Sequence, residues 1–262
     1  MKNILKSLGY LLYYIFFQVL VLMVFSIILS LSGNIASESE MMVRIVDNML
    51  LVTIISNLLS VLILALFFKI RKKRFVQEVS LAVVKGSEYI LPVIGAFCFS
   101  MFFGLMTCNM QFNNAVQIAQ SIRHFSSVIP NMGLVLEGIA LLVCAPLAEE
   151  VICRGIMITR LRRSFSDAAA IMISAILFGL LHLLAGGTVL VLGAMIIGMI
   201  CGIAFIRTKS LMPAIAAHMC GNLADFILPA LAGMSDAVRY IFAMVCLVIC
   251  VGCVVMMCRK NE

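Results

Sequence analysis

Residues 149–154 read Glu-Glu-Val-Ile-Cys-Arg, two adjacent carboxylates and an arginine inside an apolar run. An ionisable group at bilayer depth costs about 2.5 kcal/mol or more, so such groups mark a functional site by default. On a helix that advances about 100° per residue, Glu149 and Glu150 point to different sectors. Arg154 lies four residues after Glu150, on the same face, so these two form an intrahelical ion pair and Glu149 is left to face a cavity. Two further patterns carry polar groups at i and i+4: Phe178-x-x-x-His182 and His218-x-x-x-Asn222. A carboxylate beside neutral histidines can take a proton from water. Imidazole and amide N–H groups can donate to an oxyanion. That chemistry suits hydrolysis of an amide without a serine or cysteine nucleophile. The same set could instead hold Zn²⁺ through His182 and His218, with Glu149 as a third ligand, and lower the pKa of bound water to about 7.

Other polar residues weigh less. Asp225 falls on the His218–Asn222 stripe, and divides evenly between a supporting role and a structural helix contact. Glu137 sits about 18 Å before Glu149 along one helix and points elsewhere, so it reads as a structural group. His124 lies in a polar stretch and reads as solvated. Gly198-x-x-x-Gly202 reads as close helix packing.

These groups need elements to position them, and composition says which. Of 262 residues, 64% are hydrophobic and 12% charged, with a mean hydropathy of +1.18. Soluble domains average about 25% charged, so an all-α, polytopic membrane bundle is expected. A span needs roughly 20 apolar residues. About eight transmembrane helices follow, near 8–32, 47–68, 90–108, 131–153, 168–185, 188–206, 211–230 and 238–258. The first reads as a retained span rather than a signal peptide. All eight read as one domain, 1–262, with a catalytic core at about 131–230 and N-terminal spans in 1–130. Ala-Gly-Gly at 185–187 would turn span five into span six, which places His182 close to an outer turn, shallower than its partners require.

With both termini cytoplasmic, only Arg44, Arg123 and Arg239 of the 19 basic residues fall outside, as the positive-inside rule demands. The segments 71–88 and 109–130 read as an inner anchor and an outer loop or surface helix. The net charge of +7 is therefore a topology signal and implies no nucleic-acid partner. The ten cysteines, mostly inside apolar runs, read as packing residues. Motifs of other membrane proteases (His-Glu-x-x-His, Gly-x-Gly-Asp, Gly-x-Ser within a span) are missing from the chain.

Glu-Glu-x-x-x-Arg, Phe-x-x-x-His and His-x-x-x-Asn, in this order, resemble the CPBP intramembrane proteases. That family takes in CAAX proteases and bacteriocin-processing or immunity enzymes (also called Abi), and the eight-span layout resembles its type II CAAX prenyl endopeptidase branch. The resemblance implies that Glu149 activates water, supported by Glu150 and Arg154. His182 would aid that step, and His218 and Asn222 would stabilise the oxyanion. It implies a peptide or lipidated-protein substrate met in the bilayer. The family is classed with metalloproteases, yet a metal-free glutamate mechanism is also argued for it, so Zn²⁺ stays open. The rival readings are a non-enzymatic membrane immunity protein and a proton-coupled transporter, which also buries Glu, His and Arg in mid-membrane. An internal repeat would favour the carrier, and none is visible.

Overall fold

A computed structural model describes residues 2–32, 37–107, 113–231 and 233–259. Among them the regular structure is helical throughout. The long helices are α1 (Lys2–Leu31), α3 (Met49–Ile70), α4 (Ser87–Thr107), α6 (Met132–Leu161), α8 (Leu183–Thr208), α9 (Met212–Ile227) and α10 (Asp236–Arg259). Between them lie α2 (Glu38–Asp47), α5 (Asn113–Val128) and α7 (Asp167–Leu181). Among the described residues seven helices are long and apolar enough to cross a membrane, so this is a multi-pass membrane protein. The fifth expected span, 168–185, is not among the seven: α7 there is an apolar helix of only 15 residues, too short to count as a span.

Local signals set the ends. Ser37 and Ser166 accept hydrogen bonds from the backbone N–H groups of Glu40 and Ala169, capping α2 and α7. Pro213 occupies the first turn of α9, where no N–H is needed. Lys209, with φ 52°, ends α8 in the left-handed region.

Helices α7 and α8 form an antiparallel hairpin, with Gly179 against Val191 and Met195, Ala175 against Gly198, and Ile171 against Gly202. The turn falls at His182, and Gly187, in the first part of α8, has φ +67°, a backbone that only glycine adopts easily. Helix α7 is about 22 Å long and ends at Leu181, with His182 against the same Phe178 ring that His218 meets. The apolar run 168–185 hid this, since hydropathy does not register where a helix stops. The expected conflict in depth disappears.

Helix α4 packs against α9 and α10, α1 against α3, and α6 lies among α1, α3, α7 and α9. The ends agree with this path. At one end Arg160 reaches Tyr10 (3.2 Å), Leu211 N donates to Ser80 O (2.8 Å), and Arg207 lies 3.9 Å from Glu88. At the other, α5 docks on Asp47: Gln120 Nε2 donates to its Oδ1 (3.0 Å) and Ser121 Oγ to its carbonyl (2.8 Å). His124, expected to be merely solvated, lies 3.7 Å from the Asp47 carboxylate in the same junction. Within the polar stretch 109–130, residues 109–112 lie outside the described residues.

Candidate active site

The two carboxylates sit on a short α-helical piece, Ala145–Glu150, flanked by π-helical segments Gly138–Cys144 and Val151–Ile158. A π turn takes in one more residue than an α turn, so each segment resets which side chains face which neighbour. Pro146 falls just after the first π segment. The widened turns also offer carbonyls to other helices. Ser174 Oγ of α7 donates to Cys153 O at 2.9 Å, and Asn222 Nδ2 of α9 donates to Leu141 O at 2.7 Å.

The expected ion pair is present. Arg154 Nη1 donates to Glu150 Oε1 at 2.7 Å, with both side chains fully buried. The guanidinium lies over the Phe178 ring, its Cζ 4.5 Å from the centroid. Gly198 of α8 makes room for it: a Cβ there would stand 3.0 Å from Arg154 Nη2 and 3.2 Å from the Ala175 backbone.

His218 joins the two carboxylates. Its Nδ1 is 2.9 Å from Glu150 Oε1, and its Nε2 is 3.7 Å from Glu149 Oε2. The first contact is a hydrogen bond. The second is too long for one and suits a bridging water. Glu150 is fully buried, while the Glu149 side chain is 14% exposed, so of the two only Glu149 opens to its surroundings.

Phe178 is the shared wall of the site. His182 and His218 both meet its ring edge-on, with centroids 4.8 and 5.6 Å away. His182 Nδ1 lies 3.0 Å from Phe178 O. When Nδ1 carries the proton and donates it there, Nε2 becomes an acceptor. Asn222, one turn beyond His218, commits one amide hydrogen to Leu141 and has a second.

Glu149, Glu150, Arg154, Phe178, His182 and His218 thus form one connected cluster, with Asn222 alongside on α9. Asp225 continues the α9 stripe beyond Asn222. Sequence reasoning missed Tyr14 of α1, which reaches Glu149 Oε1 at 3.4 Å and Asn57 Oδ1 of α3 at 2.9 Å. A tyrosine pair in an apolar span and a lone Asn in the next were the available signals.

The donor set gives no support to zinc. Among the described residues no three of His, Cys, Asp and Glu gather closely enough to hold a metal ion. His218 Nδ1 and one Asn222 amide hydrogen are already engaged within the protein.

Residues 131–224 match the family described as type II CAAX prenyl endopeptidase Rce1-like. No curated protein and no solved structure was found to be similar to the chain. The matched stretch holds every polar residue of the cluster except Tyr14 and Asn57.

Proposed function

We propose that this Rce1-like chain is an intramembrane endopeptidase in which Glu149 activates the water that cleaves a peptide bond. The observation that carries this reading is the placement of Glu149. It is the partly open carboxylate of the pair, and it lies 3.7 Å from an imidazole nitrogen whose other side is fixed by the buried Glu150.

The chemistry needs protein groups only. A water held by Glu149 gives it a proton, and the oxygen adds to the scissile carbonyl carbon. His182 Nε2, once Nδ1 donates to the Phe178 carbonyl, can accept the water's other hydrogen and aim it. Charge moves to the carbonyl oxygen, which accepts from the second Asn222 amide hydrogen and from His218. For His218 to donate there while Nδ1 donates to Glu150, it must carry protons on both nitrogens. As an imidazolium it would stand between two carboxylates, and with Arg154 the four charges cancel. The C–N bond then breaks and the leaving amine takes the proton from Glu149. Glu150 and Arg154 touch no reacting atom; they fix His218.

The Rce1-like match supports a lipidated peptide as substrate, entering from the bilayer with its scissile bond at the depth of Glu149. The excess of basic residues at the end that joins Tyr10, Arg160 and Arg207 supports a cytoplasmic location for that end. The test is direct. Purified full-length protein in lipid nanodiscs is incubated with a farnesylated Cys-aliphatic-aliphatic-X peptide, and products are read by mass spectrometry. Release of the three C-terminal residues, unchanged by a metal chelator, is expected. An intact peptide would speak for a carrier or immunity protein. Loss of cleavage on chelation, restored by zinc, would overturn the metal-free step.

A further inference from the structure

From outside the Rce1-like stretch, the Tyr14 hydroxyl reaches the cluster. Tyr14 is buried on α1, which packs against α3 and α6. Its oxygen is 2.9 Å from Asn57 Oδ1 and 3.4 Å from Glu149 Oε1. Asn57 is itself oriented: Nδ2 donates to Thr53 O at 2.8 Å, one turn back on α3, so its acceptor end faces the phenol. A hydroxyl has one proton and can turn it. Here it faces two acceptors, one a neutral amide oxygen and one the carboxylate of the proposed base.

Resting on the reading of Glu149 as that base, we propose that Tyr14 is its positioning residue and that Asn57 is where Tyr14 turns its proton during the reaction. While Glu149 is ionised, the Tyr14 O–H donates to it, because a hydrogen bond to a charged acceptor is stronger than one to a neutral amide. Once Glu149 has taken the proton of water, its oxygen can donate instead. Tyr14 then turns its O–H to Asn57 and accepts from Glu149. The same pair of atoms stays joined in both states, so the carboxyl keeps its aim. No proton passes through Tyr14 and no bond of it is broken. The role thereby gives α1 and α3 a part in the reaction of a site built on α6, α7 and α9.

The neighbouring residue provides the control. Tyr13 O–H donates to Ser60 O at 2.6 Å, an α1–α3 hydrogen bond of the same kind that does not touch Glu149. Tyr14→Phe and Tyr13→Phe each remove one such bond and keep the ring. Two readouts are taken on full-length protein in nanodiscs. The first is infrared difference spectroscopy with ¹³C-labelled glutamate, in which the Glu149 carboxylate band is identified by its loss in Glu149→Gln. Tyr14→Phe is expected to shift that band and Tyr13→Phe to leave it in place. A band unmoved by Tyr14→Phe overturns the proposal whatever the substrate. The second is turnover of the farnesylated peptide. Tyr14→Phe is expected to lower kcat about 10- to 100-fold, the cost of a hydrogen bond to a charged group, with little change in KM. Tyr13→Phe should turn over at the wild-type rate. Equal losses in both variants mean helix packing alone and overturn the proposal. If Glu149→Gln is inactive while Tyr14→Phe is as fast as wild type, positioning by Tyr14 is wrong and the base stands. If Glu149→Gln cleaves normally, the reading of the base falls first.

Discussion

Arg154 ties Glu150 to Phe178 at the centre of the cluster. It is fully buried, with Nη1 on Glu150 and its flat face on Phe178, while Nε and Nη2 have no hydrogen-bond partner among the described residues. A charge so deep is tolerated only because Glu150 is beside it. Replacing it by glutamine leaves Glu150 facing His218 alone. Arg154→Gln should cost about 3–5 kcal/mol of stability, read as a lower midpoint of thermal unfolding in detergent, together with loss of turnover. Arg154→Lys should recover little of either, since an ammonium neither spreads over Phe178 nor presents a planar fork. This pair was legible in the sequence because its partners are four residues apart on one helix. So was Phe178–His182. The Tyr14–Glu149 contact was not, because its partners are 135 residues apart and nothing local encodes their meeting.

Among the elements, α6 departs furthest from its sequence reading. The apolar run at 131–153 identified a single span, and the structure has two π segments around the piece that carries Glu149 and Glu150. A π turn depends on which carbonyls the neighbours satisfy, as Asn222 and Ser174 do here, so a single span's pattern does not announce it. The short α7 was likewise invisible, as its apolar run continues into the turn. The small residues of α8 were legible as a packing stripe, but not what they pack against. Gly198 faces Arg154 and Ala175 together. Gly198→Ala would bring a methyl to 3.0 Å from Nη2, and neither α7 nor the buried guanidinium yields easily. We expect a loss of about 1–3 kcal/mol in the same unfolding assay, as for other overpacked sites, and reduced turnover. Gly138→Ala, where an added Cβ meets nothing within 4 Å, should leave both close to wild type.

At the scale of the whole molecule, charge and geometry agree. The positive-inside count placed both ends of the chain on one side, and the contacts of Tyr10 with Arg160, Ser80 with Leu211 and Arg207 with Glu88 gather the segments assigned to that side at one end. A C-terminal fluorescent-protein fusion is therefore expected to fluoresce in the cytoplasm, and a C-terminal alkaline phosphatase fusion to be inactive. The overall class was legible because apolar content and basic-residue asymmetry are summed over many residues, so small boundary errors cancel. The convergence of three motifs from separate spans was legible only through family resemblance, since spacing along one chain does not say which helices adjoin.

Glu149 is the group proposed to take the proton of water. The most direct measurement is single-turnover cleavage of the farnesylated peptide by Glu149→Gln alongside its equilibrium binding. Glutamine keeps the shape of the side chain and removes its basicity. Binding within about threefold of wild type, with cleavage lowered at least 100-fold, is the predicted result. Cleavage at the wild-type rate would contradict it.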